Sequence, residues 1–240
     1  MDKRYKRIAL TAMALAMGMM AMAACMVTTA ERQDNDSPDR LAFGVTGPVA
    51  EVMTNTYEAT PSHDALVKGD LLEDRISHMV FDDEGRVVED WFGNLYVYDA
   101  EGNFTRGLDE YTRMKRNAQG RIIEYQNVHD NEDDMSFTYK FTYDSKGRIN
   151  HVTIQLWEGI FDETISYQGD NIYPDKIISQ GDEEGDKYLT TTSYKYTRTD
   201  NHGNWTEREV HIHSVTTSVD DSNEEISDSY TIEVREIKYL

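Results

Sequence analysis

The sequence predicts an all-β, antiparallel body made of successive hairpins. Three observations carry this. A D-x-x-G turn motif recurs five times along the chain. The segments between the turns alternate in polarity with period 2, the pattern of a half-buried strand. No segment beyond residue 25 carries the 3.6-residue period of an amphipathic helix. At 240 residues the chain suits one β domain rather than several.

Residues 1–25 read MDKRYKRIALTAMALAMGMMAMAAC. Lys3, Arg4, Lys6 and Arg7 form a positive start, and Ile8 to Ala24 carry no charge. Seventeen uncharged residues are short for a membrane span and suit an export signal, residues 1–24. Cys25 is the only cysteine, and it follows Met22-Ala23-Ala24. This resembles a bacterial lipobox, with Met22 where Leu is usual, so Cys25 is the expected lipidation site. Ordinary cleavage after Ala21-Met22-Ala23 is the alternative. Lipidation would hold the protein on a membrane without a spanning helix. The expected address is therefore the cell envelope, at the outer membrane or cell surface. A soluble periplasmic or secreted form is the alternative.

Signal removal takes away four positive charges and one negative, moving the net charge from −21 to −24. A chain this acidic repels phosphate backbones, which excludes a nucleic-acid partner. One cysteine excludes a disulfide framework and a thiolate zinc cluster. Fifteen Tyr and an aromatic content of 10% exclude a disordered chain.

Residues 25–40 are polar and without period, so they read as the lipidated Cys and a flexible tether. The β body then runs over 41–240. Gly47-Pro48 marks a turn before a strand. In 136–143, SFTYKFTY, Phe137, Tyr139, Phe141 and Tyr143 share one face. Tyr194 and Tyr196 repeat the pattern, as do Tyr230, Ile232 and Val234.

The five turn copies read FDDEGRV, YDAEGNF, RNAQGRI, YDSKGRI and TDNHGNW. They pair Asp82 with Gly85, Asp99 with Gly102, Asn117 with Gly120, Asp144 with Gly147, and Asp200 with Gly203. Asp or Asn opens a type I turn by accepting backbone N–H bonds, and Gly supplies the positive φ that returns the chain through a bulge. An aromatic precedes the turn in three copies; Arg116 and Thr199 stand there in the others. An apolar residue follows two after each Gly. The glycine spacings are 17, 18, 27 and 56, so the last gap hides degenerate copies near 167–177 and 181–188.

These tips resemble the YD-repeat family over residues 76–210, most closely its short bacterial secreted lipoproteins. Tyr98-Asp99 and Tyr143-Asp144 match the Tyr-Asp opening, and Gly47-Pro48-Val49 matches the strand that precedes such repeats. The resemblance implies a β-meander. Larger members wind many repeats into shells; five copies are too few for that. Ten to twelve strands are expected, curled toward an open barrel or folded into two layers to hide their edges.

Chemistry is sparse. No nucleophile elbow, zincin helix or phosphate loop occurs, and no cofactor is implied. His211 and His213 would share one face of a strand, but no third ligand is evident, so no metal is assigned. The acidic runs at 82–84, 130–134, 182–186 and 220–225 lack calcium-loop spacing and read as solvated hairpin loops. Trp91, Trp157 and Trp205 are candidates for stacking on sugars. The expectation is a non-catalytic, membrane-anchored extracytoplasmic binding or interaction protein, not an enzyme. The alternatives are a carbohydrate-binding accessory lipoprotein and an acidic inhibitor of a cationic protein.

Overall fold

The computed structural model describes residues 37–63, 65–89, 95–107, 111–127, 136–156, 159–169, 171, 173–183, 185–219 and 223–240. Cys25, Trp91, Trp157 and the 130–134 run lie outside them. The chain is antiparallel β, as expected, with fifteen strands among the described residues rather than ten to twelve. The excess comes from short strands. β4 (Val87–Glu89), β5 (Val97–Tyr98) and β6 (Phe104–Arg106) have only two or three residues each.

One sheet holds thirteen strands, in the order β4-β3-β1-β15-β14-β13-β12-β11-β10-β9-β8-β7, with β2 on the far half of β1. β1 is Val49–Ser62, β2 Ala65–Leu71 and β3 Ser77–Phe81. Next come β7 (Thr112–Arg116), β8 (Ile122–Asn127), β9 (Phe137–Tyr143) and β10 (Ile149–Leu156). β11 is Gly159–Ser166 and β12 Lys176–Glu183. β13 (Asp186–Thr199), β14 (Trp205–Thr217) and β15 (Glu224–Tyr239) are the longest of the later strands. From β7 to β15 the order is sequential, so this stretch is a meander. β1 returns beside β15, pairing Val52 with Ile237 and Thr56 with Glu233.

The hydrogen-bonded path does not close into a barrel; β4 and β7 are its two ends. The β5–β6 hairpin fills the gap as a separate two-stranded sheet. A Glu89–Leu95 bridge and the Tyr96 N–H bond to Val88 O tie it to β4. One apolar core runs across the gap, joining Val87, Tyr96, Ile122, Tyr125, Val152 and Phe161. Each such side chain taken fully out of water contributes roughly 1.5–3 kcal/mol, which is what curls the sheet around its inner face. Gly181 serves that packing: a Cβ there would meet the Phe161 ring at 2.2 Å.

Residues 37–40, read from composition as the end of a tether, are ordered here. Pro38–Ala42 form a short helix, α1, capped by Ser37. Asp39 and Arg40 are buried. Asp39 accepts from the Val87 N–H at one end of the sheet (3.1 Å) and from Arg116 Nη2 at the other (2.7 Å). Arg40 donates to Val49 O and Asp82 O. Thr46 donates its N–H to Asn204 Oδ1 at 2.7 Å. Residues 37–48 thus floor the turn end of the curled sheet. Periodicity could not reveal α1, since five residues are little more than one turn.

All five D-x-x-G copies are hairpin tips. Gly85, Gly102, Gly120, Gly147 and Gly203 have φ between 76 and 84°. Each opening residue accepts the glycine N–H and bonds in both directions with the residue after the glycine, as Asp144 does with Arg148. A register shift sits beside each tip. The hidden copies are also turns, with Gly169 and Gly185 at positive φ. The alternating strand direction puts Gly185, between β12 and β13, at the opposite end of the sheet from the five tips.

Candidate functional site

The repeat residues build scaffold. The Arg after a glycine lies over the aromatic of the following copy: Arg86 over Tyr98 (4.9 Å), Arg121 over Tyr143 (5.4 Å) and Arg148 over Tyr167 (4.2 Å). Each of those Tyr hydroxyls donates to the apolar residue of the preceding tip, namely Val87 O, Ile122 O and Ile149 O. The Tyr of the motif is therefore a strap between neighbouring hairpins. Arg116, which stands where the aromatic is expected, instead binds Asp39 of α1.

The opposite end is different. β1, β2, β12, β13, β14 and β15 run past the core and form a flap. Residues 224–229 of β15 are all exposed, although side chains there alternate between faces. Six of seven β2 residues are exposed as well. Water reaches both faces, so the flap does not stabilise the core by burial. Leu189, Val215 and Ile226 lie side by side on three neighbouring strands, with Leu189 46% and Ile226 60% exposed. Glu224, Asp182 and Asp228 rim this apolar row on the same face, and all three are exposed.

Two residues along the same outer face stand the sequence-selected histidines. His213 lies opposite Asp228 and His211 opposite Tyr230. His211 Nε2 is 2.7 Å and His213 Nδ1 3.1 Å from the same Asp228 oxygen. The Tyr230 ring stacks on His211 at 4.5 Å with a 4° interplanar angle. These two hydrogen bonds hold the Asp228 carboxyl below its ordinary pKa, His211 contributing most. Asp228 escaped the sequence reading. The signal was present: a hairpin folded about residues 218–223 sets 217 against 224, and hence 213 against 228.

Trp205 corrects an expectation. It is fully buried. Arg208 and Arg235 lie over its ring at 4.3 and 3.8 Å, so it offers no face to a sugar. Arg208 pairs with Glu233 at 2.8 Å through Nε, with all three charged side chains on the inner face. Burial, then the neighbouring Arg208 charge, pulls Arg235 down to about 9. Glu163 is buried nearby among Val152, Phe161 and Ile165, and burial pushes its carboxyl up to about 8. Among the described residues its Oε2 has no hydrogen-bond partner. None of these buried charges was legible, because each sits in a strand that otherwise reads as ordinary alternation.

Among the described residues, no helix is long and apolar enough to cross a membrane. No family model matches the chain, and no curated protein matches it. Among solved structures it is similar to a porin-like protein from Bacteroides uniformis ATCC 8492, at 12% identity and a TM-score of 0.38. That match covers 80% of this chain and 97% of the other. A likeness at this level carries no functional argument.

Proposed function

We propose that this is a non-catalytic, membrane-anchored extracytoplasmic protein that binds a partner through its flap. The observation that supports the reading is a multi-stranded extension of the sheet exposed on both faces. Sheet is normally kept by the area it buries on at least one face. Here the extension carries an exposed apolar row with an acidic rim, the layout of an interface with an apolar centre and a polar edge. The net charge of the signal-free chain, −24, favours a cationic protein as partner. A sugar ligand draws no support from Trp205, which is buried.

The experiment is a pull-down from a mixed secretome with the immobilised mature protein, alongside an Asp182→Lys/Glu224→Lys variant. The screening length falls from ~10 Å at ~0.1 M salt to ~3 Å at ~1 M. A partner that elutes with salt and is lost from the variant supports the reading. A partner retained equally by both chains places binding elsewhere.

A further inference from the structure

A strand turns its N–H and C=O groups alternately to its two sides, so a strand with one neighbour leaves every second residue's backbone pair unused. The first half of β15 is such a strand. It pairs with β14 from Glu224 onward, but its pairing with β1 reaches only to Thr231, opposite Glu58. Among the described residues, 224–230 have no partner strand on the β1 side. The register gives the reason. Continued past Glu58, it would set Pro61 opposite Asp228, and a proline has no N–H for the ladder. Residues 59–62 of β1 pair with β2 instead. Two hydrogen bonds identify the backbone groups left over. The Ser218 N–H donates to Asn223 O at 3.1 Å beside β14, and the Leu240 N–H donates to Pro48 O at 2.8 Å beside β1. Counting by twos along β15 from either bond gives the same result. The backbone groups of Ser227 and Ser229 face β14, and those of Glu224, Ile226 and Asp228 face the open edge.

We propose that this edge of β15 accepts an added strand from a cationic protein, an extended segment of pattern basic-x-apolar-x-basic. The inference rests on the flap being the binding surface and names the chemistry of its partner. Main-chain bonds to the open edge would supply the attachment, as in other strand additions to a sheet edge. The side chains supply the selection. Glu224, Ile226 and Asp228 share one face, and side chains directly opposite on a neighbouring strand interact most strongly. Basic residues opposite Glu224 and Asp228 would bracket an apolar one opposite Ile226. Ile226 is 60% exposed and ends the row that runs from Leu189 through Val215, so the added apolar side chain extends that row onto another strand. Asp228 lies within hydrogen-bond distance of His211 and His213, and those contacts hold its carboxyl below the ordinary value and keep it charged. Residues 223–230 read NEEISDSY, without a Lys or Arg. The same charges disfavour a second copy of this chain. Paired antiparallel about Ile226, two such edges would set Glu224 against Asp228.

The probe is a synthetic peptide, Thr-Lys-Thr-Val-Thr-Lys-Thr, with a control in which Glu replaces both Lys. Amide hydrogen exchange of the signal-free protein, read by NMR, reports the edge directly. In the free protein the Ile226 and Asp228 amides should exchange fast and those of Ser227 and Ser229 slowly. The basic peptide should slow Ile226 and Asp228, and the acidic peptide should not. Ile226→Pro deletes one outward N–H and leaves the β14 ladder intact. It should bind the basic peptide about tenfold more weakly than Ile226→Ala, which loses the same side chain but keeps the N–H. Circular dichroism of each variant verifies the fold. Slow exchange at Ile226 and Asp228 in the free protein, no binding of the basic peptide, or equal binding of both peptides overturns the proposal. Equal affinity in Ile226→Pro and Ile226→Ala also overturns the added strand. If Asp182→Lys/Glu224→Lys still loses its partner in the pull-down, the flap remains the binding surface; if it does not, the flap reading fails as well.

Discussion

At the scale of the residue, the most exacting environment belongs to Glu163. Its carboxyl is fully buried, one oxygen has no partner among the described residues, and burial raises it from 4.5 to about 8. Below pH 4.5 the group is neutral in both the folded and unfolded chain and costs nothing electrostatically. As pH rises from there to about 8, the unfolded chain ionises while the folded one does not, and stability is lost over that window. Glu163→Gln removes the titration and keeps the shape. The stability difference between Glu163→Gln and the wild type should shift in favour of the variant between pH 4.5 and 8, by on the order of several kcal/mol. Chemical denaturation at a series of pH values reads it. Parallel pH profiles for the two chains would show that Glu163 is solvated.

At the scale of the element, the D-x-x-G hairpin tip is the unit. Gly147 has φ +84°, and a Cβ there would meet Arg121 Nη2 at 2.3 Å and Cζ at 2.8 Å. That Arg is the one lying over Tyr143, so a side chain at 147 strains the turn and also disturbs the strap between hairpins. Gly147→Val should therefore cost about 1–3 kcal/mol. Lys146→Ala, at an exposed position in the same turn, should be near neutral. Equal shifts in a denaturant titration would remove the turn from its structural role. The tips were readable because their geometry is local: the Asp, the Gly and the five residues between and around them determine the bonds they make. The straps were not readable. Tyr143 and Ile122 are 21 residues apart, and only strand pairing brings that hydroxyl to that carbonyl.

At the scale of the whole molecule, the protein is polarised along its strands. The turn end is interlocked by straps and floored by residues 37–48, while the flap end is open to water on both faces. The described chain begins at the floored end, where Ser37 caps α1. An anchor upstream would thus hold that end toward the membrane and leave the flap free for a partner. Cys25→Ala, expressed in a diderm bacterium, should move the protein from the membrane fraction to the soluble fraction. Identical fractionation of both forms would mean that Cys25 is not lipidated.

Fold class, hairpin organisation and the positions of the tips were determined by the sequence alone. Turn chemistry acts over five residues and strand alternation over two, so both are written in neighbouring letters. The tertiary structure decided the rest. It curled the sheet, placed Asp39 between its two ends, buried Trp205 rather than exposing it, and set Asp228 against the two histidines. Each of these joins residues far apart in the chain, through a register that follows from how the inner face excludes water. The composition named the aromatic and charged residues, but burial and pairing chose which of them became core and which remained available to a partner.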